Sequence, residues 1–196
     1  MKISREDAYE LMTEWTESES LQKHMLAVEA AVRAYAKKMN QDEDYWAVAA
    51  LLHDFDYEKH PDFDVLAKTG HPYTGVDHLR GLGYPEDILE AILGHADYTN
   101  VPRESDLAKV LYACDEITGL ITAAVLVRED KNIANQTIKS LKKKFKSKAF
   151  ARGVNREDVV RGAEELGVEL WEHIAFVLEA MQANAEVLGL DGSLAN

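Results

Sequence analysis

The chain has 196 residues, 46% of them hydrophobic, which is enough to bury a substantial core in one domain or one domain with an appendage. No stretch reaches the roughly 18 consecutive apolar residues of a membrane span, the start "MKISREDAYELMTEW" lacks a basic segment followed by an apolar signal core, and the single Cys114 excludes an internal disulfide. The missing span and signal core set the expectation of a cytoplasmic protein, and a formal charge of −13 disfavours general binding to nucleic acid or an anionic membrane.

Helical periodicity runs through almost every segment, and Pro61, Pro72, Pro85 and Pro102 each fall at a boundary, which predicts an all-α fold. Leu21, Met25, Val28, Val32 and Tyr35 form one apolar stripe. After the turn and acidic helix start "NQDED", a second helix runs from about Asp44 through Trp46 and Val48 to Leu52 and reaches His53. A short helix is expected around Asp62 to Lys68, ending at Gly70, another from His71-Pro72 to "GLG", and a third from Pro85 through His95. Residues 104 to 129 read as a long, nearly continuously apolar helix at the centre of the bundle. Beyond it, Ile138, Leu141 and Phe145 share one helix, Asn155 caps the next, and Val168 to Leu188 forms the last.

Four polar residues stand where this pattern calls for apolar ones. His24 interrupts the first stripe, His53 and Asp54 end the second helix, and Asp115 lies inside the long helix with Leu111, Cys114, Ile117 and Leu120 around it. A lone histidine on such a face is more often a hydrogen-bonded core residue, but an unpartnered buried carboxylate is costly. The nearest basic residue in sequence to Asp115 is Lys109, six positions away and not a neighbour on the helix surface. Nitrogen and oxygen donors converging from three helices predict a metal site in the bundle interior. His71, just before a helix, and His95, at the end of one, add ligands for a second ion with Asp54 as the bridge.

On these residues the sequence resembles the HD superfamily of metal-dependent phosphohydrolases, whose signature is a His, a His-Asp doublet and a distant Asp, matched here by His24, His53-Asp54 and Asp115. "LLHDFD", "TGHPYTGVDHLRGLGYPEDILEAILGH" and "LYACDEITGLI" are similar to the small stand-alone HDIG-type bacterial hydrolases over most of the chain. The resemblance implies one HD domain over 1–196, with a helical-bundle core at about 20–130 and a C-terminal helical extension at about 131–196. It implies His71 and His95 as ligands of a second metal, and one or two divalent ions drawn from Mn, Mg, Co, Ni, Zn and Fe. His53, Asp54 and Asp115 are the expected catalytic residues. The implied reaction is cleavage of a phosphate ester by metal-activated water, with nucleotides the commonest substrates. Where the namesake motif has His-Asp-Ile-Gly, this chain has "HDFD", so the lysine that often follows has no counterpart. "GYP" at 83–85 precedes His95 and is read as a helix-start turn, which disfavours cyclic-di-GMP hydrolysis. The superfamily also includes diiron oxygenases with the same ligand set, and a catalytically silent metal- or nucleotide-binding module is the third class.

Helix-end solvation is the favoured reading for Asp56, Asp97 and Lys59, and packing or surface exposure for His60, His78 and His173. Trp15, Trp46 and Trp171 read as core or interface anchors. Residues 139–152 carry six lysines and one arginine without an acid, leaving −20 on the remainder. The apolar spacing of Leu141, Phe145 and Ala149 makes the lysines the solvated face of an amphipathic helix. Arg152 and Arg156 are lesser candidates for an anion contact, and Arg128 for a helix C-cap.

Overall fold

The computed structural model describes residues 3–195. Among these the architecture is all-α, as the periodicity predicts, with ten α-helices and no strand beyond two isolated bridges. The helices are α1 (Arg5–Trp15), α2 (Glu19–Lys38), α3 (Glu43–Leu52), α4 (Tyr73–Gly81), α5 (Glu86–Gly94), α6 (Asp106–Leu126), α7 (Ile138–Lys146), α8 (Arg156–Leu166), α9 (Leu170–Gln182) and α10 (Ala185–Leu188). The chain divides into two compact units, Met1–Tyr112 and Ala113–Asn196, with the boundary inside α6.

In the first unit α3 is the central element, packed against α1, α2 and α5. Its seven residues from Trp46 to Leu52 are all buried, so it is apolar all round, as a helix enclosed by others must be. Asp42 caps its start, accepting from the amides of Asp44 and Tyr45 at 3.0 Å. α2 turns Met25, Val28, Val32 and Tyr35 inward, and α4 packs on α5.

In the second unit α9 is the hub, touching α7, α8 and α10. Gly162 of α8 lies so close to the backbone of Ala113 that a Cβ there would sit 2.7 Å from Ala113 Cα, and His173 Nε2 lies 2.8 Å from the carbonyl of the same residue. Burial pushes the Cys114 thiol well above its ordinary pKa, which makes it an inert packing group. The lysine-rich segment is an amphipathic helix only as far as Lys146: Leu141 is buried, Phe145 meets Trp171 edge to face at 5.5 Å, and Lys139, Lys142, Lys143 and Lys146 are exposed, while Ala149 lies in a turn beyond the helix and is exposed rather than apolar-facing. Arg156 donates to the carbonyls of Phe150, Ala151 and Val154, so it organises the loop before α8. Arg128 pairs with Asp130 at 2.8 Å rather than capping α6.

Two expectations are corrected, and one helix is added. α1 has no counterpart in the sequence reading; it is nucleated by a capping box between Ser4 and Asp7 and buries only Ala8 and Met12. The helix expected at 62–68 is a turn closed by the Asp64–Thr69 bridge, because Asp64 Oδ1 accepts from the amides of Leu66 and Ala67 and holds them out of helical pairing. The helix expected from Val168 to Leu188 is broken between α9 and α10, where the Asn184 side chain donates to the Ala180 carbonyl at 2.8 Å.

Candidate metal centre

α3 ends where its sequence changes from apolar to polar. His53 is its C-cap residue, fully buried, and its Nδ1 lies 2.7 Å from the Ala50 carbonyl, one of the terminal acceptors a helix leaves unsatisfied. α5 ends the same way: His95 is the C-cap and its Nδ1 lies 2.5 Å from the Ile92 carbonyl. A carbonyl only accepts, so in both rings Nδ1 carries the proton and Nε2 presents its lone pair. His71 lies in the loop before α4, with Nδ1 2.7 Å from Asp56 Oδ1. His24 stands within α2.

Asp54 is the centre of this arrangement. Its Oδ2 is 3.5 Å from His53 Nε2 and 3.7 Å from His24 Nε2. Its Oδ1 is 3.3 Å from His71 Nε2 and 3.5 Å from His95 Nε2. Each carboxylate oxygen therefore faces its own pair of imidazole nitrogens. The side chains of His24 and Asp54 are 24% and 17% exposed, against 5% for His71 and 6% for His95, so solvent reaches the cluster from the α2 side.

The donor set fits a divalent ion. His71 Nε2 and His95 Nε2 are 3.2 Å apart. Two lone pairs at that distance repel unless a proton or cation lies between them. Donors on one ion with bonds of ~2.1 Å lie about 3.0–3.4 Å apart for octahedral or tetrahedral geometry, close to the 3.2–3.5 Å separations among Asp54 Oδ1, His71 and His95. Asp54, His71 and His95 offer ligand atoms that all lie within 4.8 Å of one another.

Of the sequence-predicted ligands, His24, His53, Asp54, His71 and His95 are thus brought together in the first unit. Asp115 lies half-buried on α6, just past the unit boundary. The solvation reading fails for Asp56, which is 1% exposed and accepts from Gly75 N–H as well as from His71. Asp97 is held by Arg103 at 2.9 Å and by the Tyr112 hydroxyl at 3.2 Å, while Lys59 lies over the Trp15 ring and donates to the Glu14 carbonyl. His78 and His60 pack against the same Trp15.

Tyr98 is a contributor that the sequence reading did not single out. Its hydroxyl donates to the His71 carbonyl at 2.9 Å, and burial together with the charges of Asp54 and Asp56 raises its pKa, keeping it protonated as a donor. Its ring stacks on Phe63 at 3.8 Å, and Tyr57 meets the His71 ring edge to face at 5.2 Å. The aromatic residues that follow the His-Asp doublet were the available signal.

In comparison with known proteins, a family model for the HD domain matches residues 21–120. No curated protein and no solved structure matches the chain.

Proposed function

The chain belongs to the HD domain family, and on that premise we propose that it is a phosphohydrolase that holds two divalent ions and cleaves a phosphate ester, with nucleotides the leading substrate class. The observation that carries this reading is the position of Asp54, one oxygen toward His24 and His53 and the other toward His71 and His95. This supports a carboxylate that would hold an ion on each of its oxygens. Bound divalent ions supply the Lewis acidity that makes water nucleophilic near neutral pH and offsets charge on a phosphoryl oxygen.

The chain's own residues do the rest. His53 and His95 are locked by their helix-end carbonyls, so their Nε2 atoms are oriented before any ligand arrives. Asp115 is assigned as a further ligand from its place in the sequence signature alone. The more exposed side of the cluster, at His24 and Asp54, is where the phosphate group enters. Water adds to phosphorus, the P–O bond to the leaving group breaks, and the products are an alcohol and inorganic phosphate.

The test uses metal-free protein reconstituted separately with manganese, magnesium, cobalt, nickel and iron, offered nucleoside monophosphates and small phosphoesters under nitrogen and, in parallel, small organic substrates and phosphonates in air. Metal-dependent phosphate release that continues without oxygen is expected. Turnover of an organic substrate that requires both iron and oxygen would assign the centre to the oxygenases instead.

A further inference from the structure

His53 and His95 fix their own rings, each bonding a carbonyl three residues back in the helix it caps. His71 precedes α4 and has no such carbonyl behind it. Its Nδ1 turns to Asp56, fifteen residues earlier in the chain. We propose that Asp56 is the positioning residue of the centre: it sets which nitrogen of His71 carries the proton, aims Nε2 at Asp54 and His95, and so builds the ion position on the Oδ1 side. This rests on the metal-centre reading above and adds a residue that the ligand signature does not contain.

The burial of Asp56 is the first reason. A carboxylate that is 1% exposed is costly unless both oxygens are bonded, and both are: Oδ1 is 2.7 Å from His71 Nδ1, and Oδ2 accepts from Gly75 N–H at 2.7 Å. Gly75 lies in the first turn of α4, whose N-cap, Pro72, supplies no side-chain bond. Asp56 therefore caps α4 from a distance and lies at the positive end of the helix. Only a residue without a side chain admits this approach, since a Cβ on Gly75 would sit 2.7 Å from Asp56 Cγ and 2.8 Å from Oδ2.

With Gly75 N–H bound to one oxygen, the other is an acceptor facing His71, and the shared proton belongs on Nδ1. The rest of His71 is held too. Its amide donates to the His60 carbonyl at 2.8 Å, its carbonyl accepts from Tyr98, and Tyr57 closes one edge of the ring. Nε2 is left facing Asp54 Oδ1 at 3.3 Å and His95 Nε2 at 3.2 Å. In a histidine ligand the bond to the far nitrogen fixes the tautomer and the ring plane, and its loss weakens metal affinity by roughly 10–100-fold.

The experiment titrates metal-free full-length protein with manganese by calorimetry, comparing wild type with Asp56→Asn and Gly75→Ala. Asparagine keeps the shape but turns its NH2 toward one of two donors, so one bond is lost; alanine presses on the carboxylate, and on the Phe55 ring 2.7 Å from the added Cβ, without changing any charge. Each variant is expected to bind one ion as wild type does and the other about 10–100-fold more weakly. Lowered melting temperatures with both affinities unchanged would make Asp56 a cap for α4 and nothing more, overturning the proposal. A wild type that takes up no ion overturns the metal-centre reading as well. If neither variant folds, the assignment is read from the 15N spectrum of the zinc-loaded wild type: a proton on Nδ1 of His71 supports it, and a proton on Nε2 overturns it.

Discussion

Asp54→Ala is expected to empty both ion positions at once, whereas His71→Ala or His95→Ala should empty one. The difference follows from geometry: each histidine addresses one oxygen of Asp54, while Asp54 alone addresses all four rings. It also supplies a negative charge at the centre of the cluster, so its removal withdraws charge and ligand together. Turnover should fall by roughly 10³-fold, the rate equivalent of the several kcal/mol of transition-state stabilisation that metal ions supply. The fold should survive, because Asp54 lies beyond the end of α3 and is partly exposed. Elemental analysis beside circular dichroism checks this, and two ions retained by a folded Asp54→Ala variant would refute the bridging role.

Removing the metal should lower thermal stability markedly. Without an ion, four imidazoles and the carboxylates of Asp54 and Asp56 share a small, largely buried space, and the two facing Nε2 atoms of His71 and His95 need a proton between them. An ion that binds only the folded state, at 1,000 times its Kd, stabilises by about 4 kcal/mol. For a chain of this length, at roughly 2–4 °C per kcal/mol, the melting temperature should drop by about 8–16 °C after chelation and dialysis, and return on reconstitution. Because the chain has two compact units, calorimetry is the method of choice: the transition that contains the first unit should move. Identical scans with and without metal would show that the histidine cluster is stable without an ion.

The parts of the fold legible in the sequence were those written in local periodicity. The stripes of α2, the continuous apolar run of α3 and the prolines before α4 and α5 each express one element's own burial or boundary. α1 was illegible because two buried residues make no stripe. The turn at 62–68 was misread because the Asp64 carboxylate competes for amides that a helix would need. The candidate ligands stood out for a different reason: His24, His53, Asp54 and Asp115 are each polar inside an apolar pattern, and His71 and His95 stand at helix boundaries. Asp56 did not, since it follows the end of α3 where polar residues are ordinary. What marks it is Gly75, nineteen residues on, in the first turn of a helix that has no side-chain cap of its own. No local pattern joins those two positions.

The most direct test of the account is the count of divalent ions per chain, by elemental analysis of protein purified without chelator or nickel resin. Two ions per chain, as purified or after reconstitution, is the expected result, with Asp54 and its four histidines as the shared cluster. A wild type that stays metal-free after exposure to manganese, magnesium, cobalt, nickel, zinc and iron would contradict it.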